Sequence, residues 1–182
     1  MARKAFQASL VLAFAIASRL LAEELPPPPG GFSWKRIESI KAAFLVPAGW
    51  HFFEETQGEI RGIFITKEKI RGGSQFSTGL TINVQKVQGS ASERAMKAIA
   101  QLARLGTYDD LRESEHGAMK LYGAHVHVTA DPPAFTEEVL AIGNDKTGTL
   151  YILIFESPDS SWDEAWKIGQ VILDRFLLDD ET

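Results

Sequence analysis

The sequence predicts an α+β domain: a mostly antiparallel sheet flanked by helices. Three observations point there. "GLTINVQKV" (Gly79–Val87) alternates without a break, with Leu80, Ile82 and Val84 on one face and Thr81, Asn83 and Gln85 on the other. That is the period of a half-buried strand. Ala165, Ile168, Gly169, Ile172, Leu173 and Phe176 recur at the spacing of one continuous helical face. The connections between strand-like runs are of hairpin length, which suits antiparallel pairing, and the helices supply the cover.

The start of the chain differs from the rest. Arg3 and Lys4 precede the alanine-rich apolar run "AFQASLVLAFAIA" (Ala5–Ala17). The run is too short to span a bilayer, which takes about 20 apolar residues. Small-residue cleavage patterns end at Ala17 and at Ala22. Residues 1–22 therefore read as a secretory signal peptide. The expectation is export to the periplasm or cell exterior, with no stable membrane anchor after cleavage. Residues 23–33 read as a linker, in which Pro26–Pro29 hold the chain extended and Gly30–Gly31 release it. The folded domain is expected over 34–182.

Short strand-like runs dominate the first half. "RIESIKAAFLVP" (Arg36–Pro47) ends at a Pro-Ala-Gly corner. Pro47 lacks a donor and Gly49 tolerates unusual dihedrals, so the corner joins two strands and Trp50 offers its ring to the core. "GWHFFEE" and "EIRGIFITKE" (Glu59–Glu68) form a hairpin around Thr56–Gly58. Ser90 opens a helix with capping-box spacing to Glu93. Ala95, Met96, Ile99, Leu102 and Ala103 are its expected apolar stripe, and Gly106 its expected stop.

Strands follow again at Met119–Ala130, Thr136–Gly143 and, after the turn "NDKTG", at "TLYILIFES" (Thr149–Ser157). The last is apolar at almost every position and is expected to be central, covered on both faces. Ser161 and Glu164 repeat the capping-box spacing ahead of the final helix.

Composition narrows the function. With 182 residues, 45% hydrophobic and 24% charged, the chain has the make-up of one folded domain. It has no cysteine, which excludes disulfides, thiolate metal sites, cysteine nucleophiles and lipid attachment through cysteine. Cleavage after Ala22 removes Arg3, Lys4 and Arg19, taking the basic residues from 19 to 16 against 24 acidic, a net of −8. That balance argues against nucleic acid or anionic lipid as the main partner.

The pattern resembles the PsbP/Mog-like α/β/α sandwich family. The likeness rests on "FLVPAGW" (Phe44–Trp50) and is supported by "LYILIFESPDSSWDEAWKIGQVILDRF" (Leu150–Phe176). In that family a first strand runs into a Pro-x-Gly-Trp corner. A late Leu-Tyr-x-Leu strand leads through Ser/Ala-Pro to a helix that ends in an aromatic residue. Here Asp174 and Arg175 precede Phe176, where the family has a small residue. The family includes a photosystem II subunit, assembly factors, a Ran-binding protein and exported bacterial proteins. The resemblance implies a scaffold that binds other proteins, not an enzyme.

Candidate chemistry is sparse. His125 and His127 form an H-x-H on a strand, so both rings project from one face and can offer two imidazoles to zinc or copper. His116, Glu115 and Asp131 are the nearest third donors in sequence. On a half-exposed strand the same pair also reads as outward polar residues opposite Ala124, Val126 and Val128. Glu54–Glu55, Asp109–Asp110, Glu137–Glu138 and Asp179–Asp180 are adjacent acids. Neighbours on a strand point to opposite faces, so they read as solvated. No nucleophile elbow, zinc-protease helix or phosphate loop occurs, and no cofactor is expected. "RGGSQFSTG" (Arg71–Gly79) has no helix after it and reads as a hairpin loop open to a partner, with Arg71, Ser74 and Gln75 as contact candidates. The reading is an exported, non-catalytic module acting through a protein partner. A metal or small-ligand module at His125/His127, or an enzyme of unrecognised type, are the alternatives.

Overall fold

A computed structural model describes residues 25–70, 75–102, 106–129 and 133–179. The expected signal peptide lies outside them, as do Arg71, Ser74, Ala103, Asp131 and Asp180. The described elements are β1 (Phe32–Ile37), β2 (Ala42–Pro47), β3 (His51–Gln57), β4 (Ile60–Thr66), β5 (Gly79–Lys86), α1 (Ala91–Leu102), β6 (Thr107–His116), β7 (Met119–Val128), β8 (Phe135–Asn144), β9 (Thr149–Pro158), α2 (Trp162–Leu173) and β10 (Leu177–Leu178). They form a seven-stranded sheet in the order β3-β4-β5-β9-β8-β7-β6 and a small sheet in the order β1-β2-β10, with antiparallel pairing throughout. The apolar run Thr149–Ser157 thus becomes β9, the middle strand of the large sheet.

Period-two alternation divides the large sheet into two faces. Ile63, Ile65, Leu80, Ile82, Leu140, Ile142, Leu153 and Phe155 point to one, where α2 and the small sheet bury them. Ala124, Val126, Val139, Ala141 and Leu150 point to the other, under Ala95 and Ile99 of α1. The layers are therefore α1, then the large sheet, then α2 with the small sheet.

The Pro-Ala-Gly corner joins β2 to β3 as expected. The Trp50 amide donates to the Pro47 carbonyl at 3.1 Å, and Gly49 takes the left-handed φ of 81° that the turn requires. Trp50 then stacks on Phe155, with centroids 6.5 Å apart. On α2, Gly169 faces the same ring so closely that a Cβ would stand 2.7 Å from it.

Four local features differ from expectation. The expected strand Arg36–Pro47 is broken by a 3₁₀ turn at Glu38–Ile40, and β1 starts two residues before Trp34, whose indole donates to the Pro26 carbonyl at 2.7 Å. The strand β6 is wholly unexpected. It carries "TYDDLRESEH" on the sheet's outer edge, nearly all of it exposed, so no apolar alternation marks it. Met96 is 49% exposed rather than buried. It lies one residue, about 100° of helix, round from the buried Ala95. The second capping box does not form: a 3₁₀ turn at Asp159–Ser161 precedes α2, and the Ser161 hydroxyl is taken by Ser157 at 2.9 Å and the Pro158 carbonyl at 3.2 Å. The first does cap its helix, the Glu93 amide donating to Ser90 Oγ at 3.1 Å. It is reinforced by Asp145, which accepts from the Ser90 hydroxyl and the Ser92 amide, each at 3.0 Å.

Candidate functional site

Helix α1 packs mainly on β7, β8 and β9, so it covers the middle of its face and leaves an opening on each side. Both openings carry side chains of interest, and the histidine pair lies on the face beyond.

On the β3–β5 side, Phe53, Glu55, Phe64, Ile70, Gln75, Phe76, Phe135 and Glu156 line a cleft of about 450 Å³. Three of the aromatic walls touch one another: Phe53 and Phe64 at 6.0 Å between centroids, Phe64 and Phe76 edge-on at 6.5 Å. Glu68 ties down the loop beside it, accepting from the Ser77 hydroxyl at 2.5 Å and from the Ser77 and Thr78 amides. Glu156 of β9 lines the cleft and sits directly across from Glu137 of β8, on the same face of the sheet. Burial, and secondarily Glu137, pushes the Glu156 carboxyl up to about 7, and burial also raises Glu137. Of the three loop residues expected to meet a partner, Gln75 lines this cleft; Arg71 and Ser74 lie outside the described residues.

His125 and His127 share a face, as their spacing requires, but it is the α2 face and both rings are half-buried. Their centroids lie 5.0 Å apart, and His125 meets Trp162 at 5.3 Å. The bonding fixes both tautomers. Glu138 can only accept, so His125 Nδ1 donates to it, at 3.3 Å. Thr136 spends its one proton on Asp159 at 2.7 Å, so its oxygen accepts from His127 Nδ1 at 3.0 Å. In the neutral form of each ring Nε2 is left with the lone pair. Burial lowers the His125 pKa, against the pull of Asp109, which disfavours the charged ring. Arg112 of β6 reaches over to pair with Glu138, making an Arg112–Glu138–His125 chain that adjacency in sequence does not reveal. Glu138 is therefore a buried, paired acid and not a solvated one, and Asp179 is buried as well. His116 and Glu115 sit at the far end of β6, opposite Met119 and Lys120. Among the described residues no group of three or more His, Cys, Asp or Glu is placed to hold a metal ion. His51 is exposed at the start of β3.

On the β6 side, Met96, Ile99 and Ala100 of α1 face Tyr108, Leu111, Arg112 and Tyr122 across a groove of about 470 Å³. Met96, Tyr108 and Leu111 are 49%, 50% and 59% exposed. A register shift between Asp109 and Arg112, with Asp110 at φ 53°, marks a bulge at Leu111 on the strand's free edge.

No family model and no curated protein matches the sequence. Solved structures do. The solution structure of cyanobacterial PsbP from Synechocystis superposes with a TM-score of 0.56 over 87% of this chain and 98% of that one, at 10% identity. LpqN of Mycobacterium tuberculosis, described as involved in cell envelope biogenesis, gives 0.48 over 86% and 88% at 13% identity. The Ran-binding protein Mog1p of Saccharomyces cerevisiae gives 0.47 over 80% and 94% at 11% identity. The sandwich expected from Phe44–Trp50 and Leu150–Phe176 is the fold this chain adopts.

Proposed function

We propose that this chain, built on the PsbP/Mog-like fold, is a non-catalytic module that is exported from the cell and acts by binding a protein partner. One observation carries the reading: the groove in which Met96, Tyr108 and Leu111 stand half out in solvent together. Scattered exposed apolar residues are ordinary, whereas a contiguous apolar groove with a polar rim is typical of protein contacts. The adjoining strand edge bears Asp109, Asp110, Glu113 and Glu115, charges of the kind that deter indiscriminate strand addition. Export rests on the segment Met1–Ala22. No described helix is long and apolar enough to cross a membrane.

The test is affinity capture from native envelope and medium fractions, using the tagged full chain and a Met96→Lys/Leu111→Glu variant with an unchanged melting temperature. A partner retained at near-equal abundance by the parent and lost by the variant supports the reading. Capture of nothing, or equal capture by both, overturns it. The N-terminus of the parent, read in the same run, is expected at Ser18 or Glu23; an intact Met1 overturns export.

A second reading, metal binding at His125 and His127, has one observation in its favour: both Nδ1 atoms are held by oxygens, as in metal-bound imidazoles. Stoichiometric zinc or copper after gentle purification, lost in the His125→Ala/His127→Ala variant, is its expected result.

A further inference from the structure

The cleft on the β3–β5 side is chemically unlike the groove and stands independently of it. Its lining includes Glu156, which faces Glu137 across neighbouring strands. Side chains directly opposite on an antiparallel pair have Cβ atoms about 5 Å apart, and like charges there repel. Both acids are half-buried, and among the described residues neither has a cation within ion-pair distance. The neighbouring pair shows what the fold does elsewhere: Glu138, one residue on and pointing to the other face, is met by Arg112. Two opposed acids in a covered position, with no cation partner among the described residues, cost stability, and a sheet of this kind loses nothing by placing Thr or Gln there.

The walls are an independent observation. Four phenylalanines, Phe53, Phe64, Phe76 and Phe135, line one open cavity on a face where the covered half is sealed with aliphatic side chains. Phenyl faces carry the negative end of a quadrupole, and they attract organic cations while also burying an apolar stem. A small hydrated metal ion asks for something different, several oxygen donors and retained water, and aromatic walls supply neither. A neutral apolar guest would leave the two carboxylates unmatched.

We propose that this cleft binds an organic cation, an ammonium or guanidinium head on an apolar stem, with the head between Glu137 and Glu156 and the stem against Phe53, Phe64 and Phe76. The same chemistry is presented by a free amine and by a lysine or arginine side chain of another protein. Bound there, the cation removes the repulsion between the acids and gains the ring faces. Glu55, at the mouth, adds a third negative charge that favours entry.

The experiment is a titration of the full chain followed by amide and methyl NMR, with four probes: n-hexylammonium, its neutral counterpart n-hexanol, N-acetyl-lysine methylamide and calcium chloride. The expected result is saturable shifts around Phe76, Glu137 and Glu156 with hexylammonium, and binding at least tenfold weaker with hexanol. The Glu137→Gln/Glu156→Gln variant keeps the shape and removes the repulsion, so it folds at least as well as the parent. It is expected to lose the ammonium preference while keeping the weak hexanol response. Shifts with the lysine amide at the same residues assign the site to a side chain of another protein; shifts with hexylammonium and none with the lysine amide assign it to a free amine. Equal binding of hexanol and hexylammonium, unchanged ammonium binding in the double variant, saturation by calcium in preference to either amine, or no shift with any probe overturns the proposal.

Discussion

Gly169 of α2 packs against the ring of Phe155, on the central strand of the large sheet. A Cβ at Gly169 would come within 2.8 Å of three ring atoms. The ring has nowhere to go: Trp50, Trp162 and Trp166 surround it at 6.5, 5.9 and 5.8 Å between centroids. In a free helix Gly→Ala gains about 1 kcal/mol. Here overpacking costs roughly 1–3 kcal/mol and wins. Gly169→Ala is expected to lose about 1 kcal/mol net, and Gly169→Val about 3 kcal/mol or more. Urea unfolding measures both; a Gly169→Ala variant more stable than the parent would show that the helix can lift off the sheet.

Arg112 and Glu138 behave as a unit. Glu138 is 4% exposed, and among the described residues Arg112 is the Lys or Arg that pairs with it, with His125 as a donor beside it. Removing one partner of a buried pair costs about 3 kcal/mol, whereas replacing both by apolar groups of similar volume is close to neutral. Arg112→Ala is therefore expected to destabilise strongly, and Arg112→Met/Glu138→Leu to recover most of the loss. Equal stability of Arg112→Ala and the parent would mean that the pair is solvated in practice.

Glu156 makes the domain sensitive to alkali. Its carboxyl is raised from 4.5 to about 7 by burial first and by Glu137 second; Glu55 is the other charged group lining the cleft. Between those values the folded state binds more protons than the unfolded one. Stability contributed by the neutral carboxyl is thus full below pH 4.5 and is lost as pH climbs through 7. The loss is at most about 3 kcal/mol, at about 1.4 kcal/mol per unit of displaced pKa. Glu156→Gln, which cannot ionise, is expected to match the parent near pH 5 and to exceed it at pH 8. Thermal melts across that range decide it, and parallel curves for the two proteins would count against a displaced carboxyl.

What the sequence reveals depends on whether each residue's surroundings are local. The stripe Ala165–Phe176, the alternation Leu80–Val84 and the run Thr149–Ser157 were legible because burial on a helix or strand writes a period into the chain. The edge strand β6 was not, since water on both sides imposes no period on "TYDDLRESEH". Ser90 could be read as a cap, but Asp145, which reinforces it from the β8–β9 turn, arrives from a distant segment. The acids Glu137 and Glu138 do point to opposite faces. Both faces of β8 are covered, however, and only the register with β9 and the reach of Arg112 reveal that one meets another carboxylate and the other a guanidinium. The histidine spacing was legible, whereas the Glu138 and Thr136–Asp159 bonds that fix the tautomers come from pairing with β8.

The small sheet sets a timetable. Leu177 and Leu178 close it by pairing with Ala43 and Ala42, and Phe176 completes the stack on Phe44 at 5.7 Å. Most other pairings join neighbours in the chain and form as soon as each hairpin is made. β5 waits for β9, and β2 waits longer still, one edge open, for Leu177 and Leu178. A ribosome still working on α2 therefore holds a polypeptide whose core has no lid, and such a polypeptide stays threadable. Under the proposed export, a closure that waits for Leu177 and Leu178 keeps the passage open until those residues arrive.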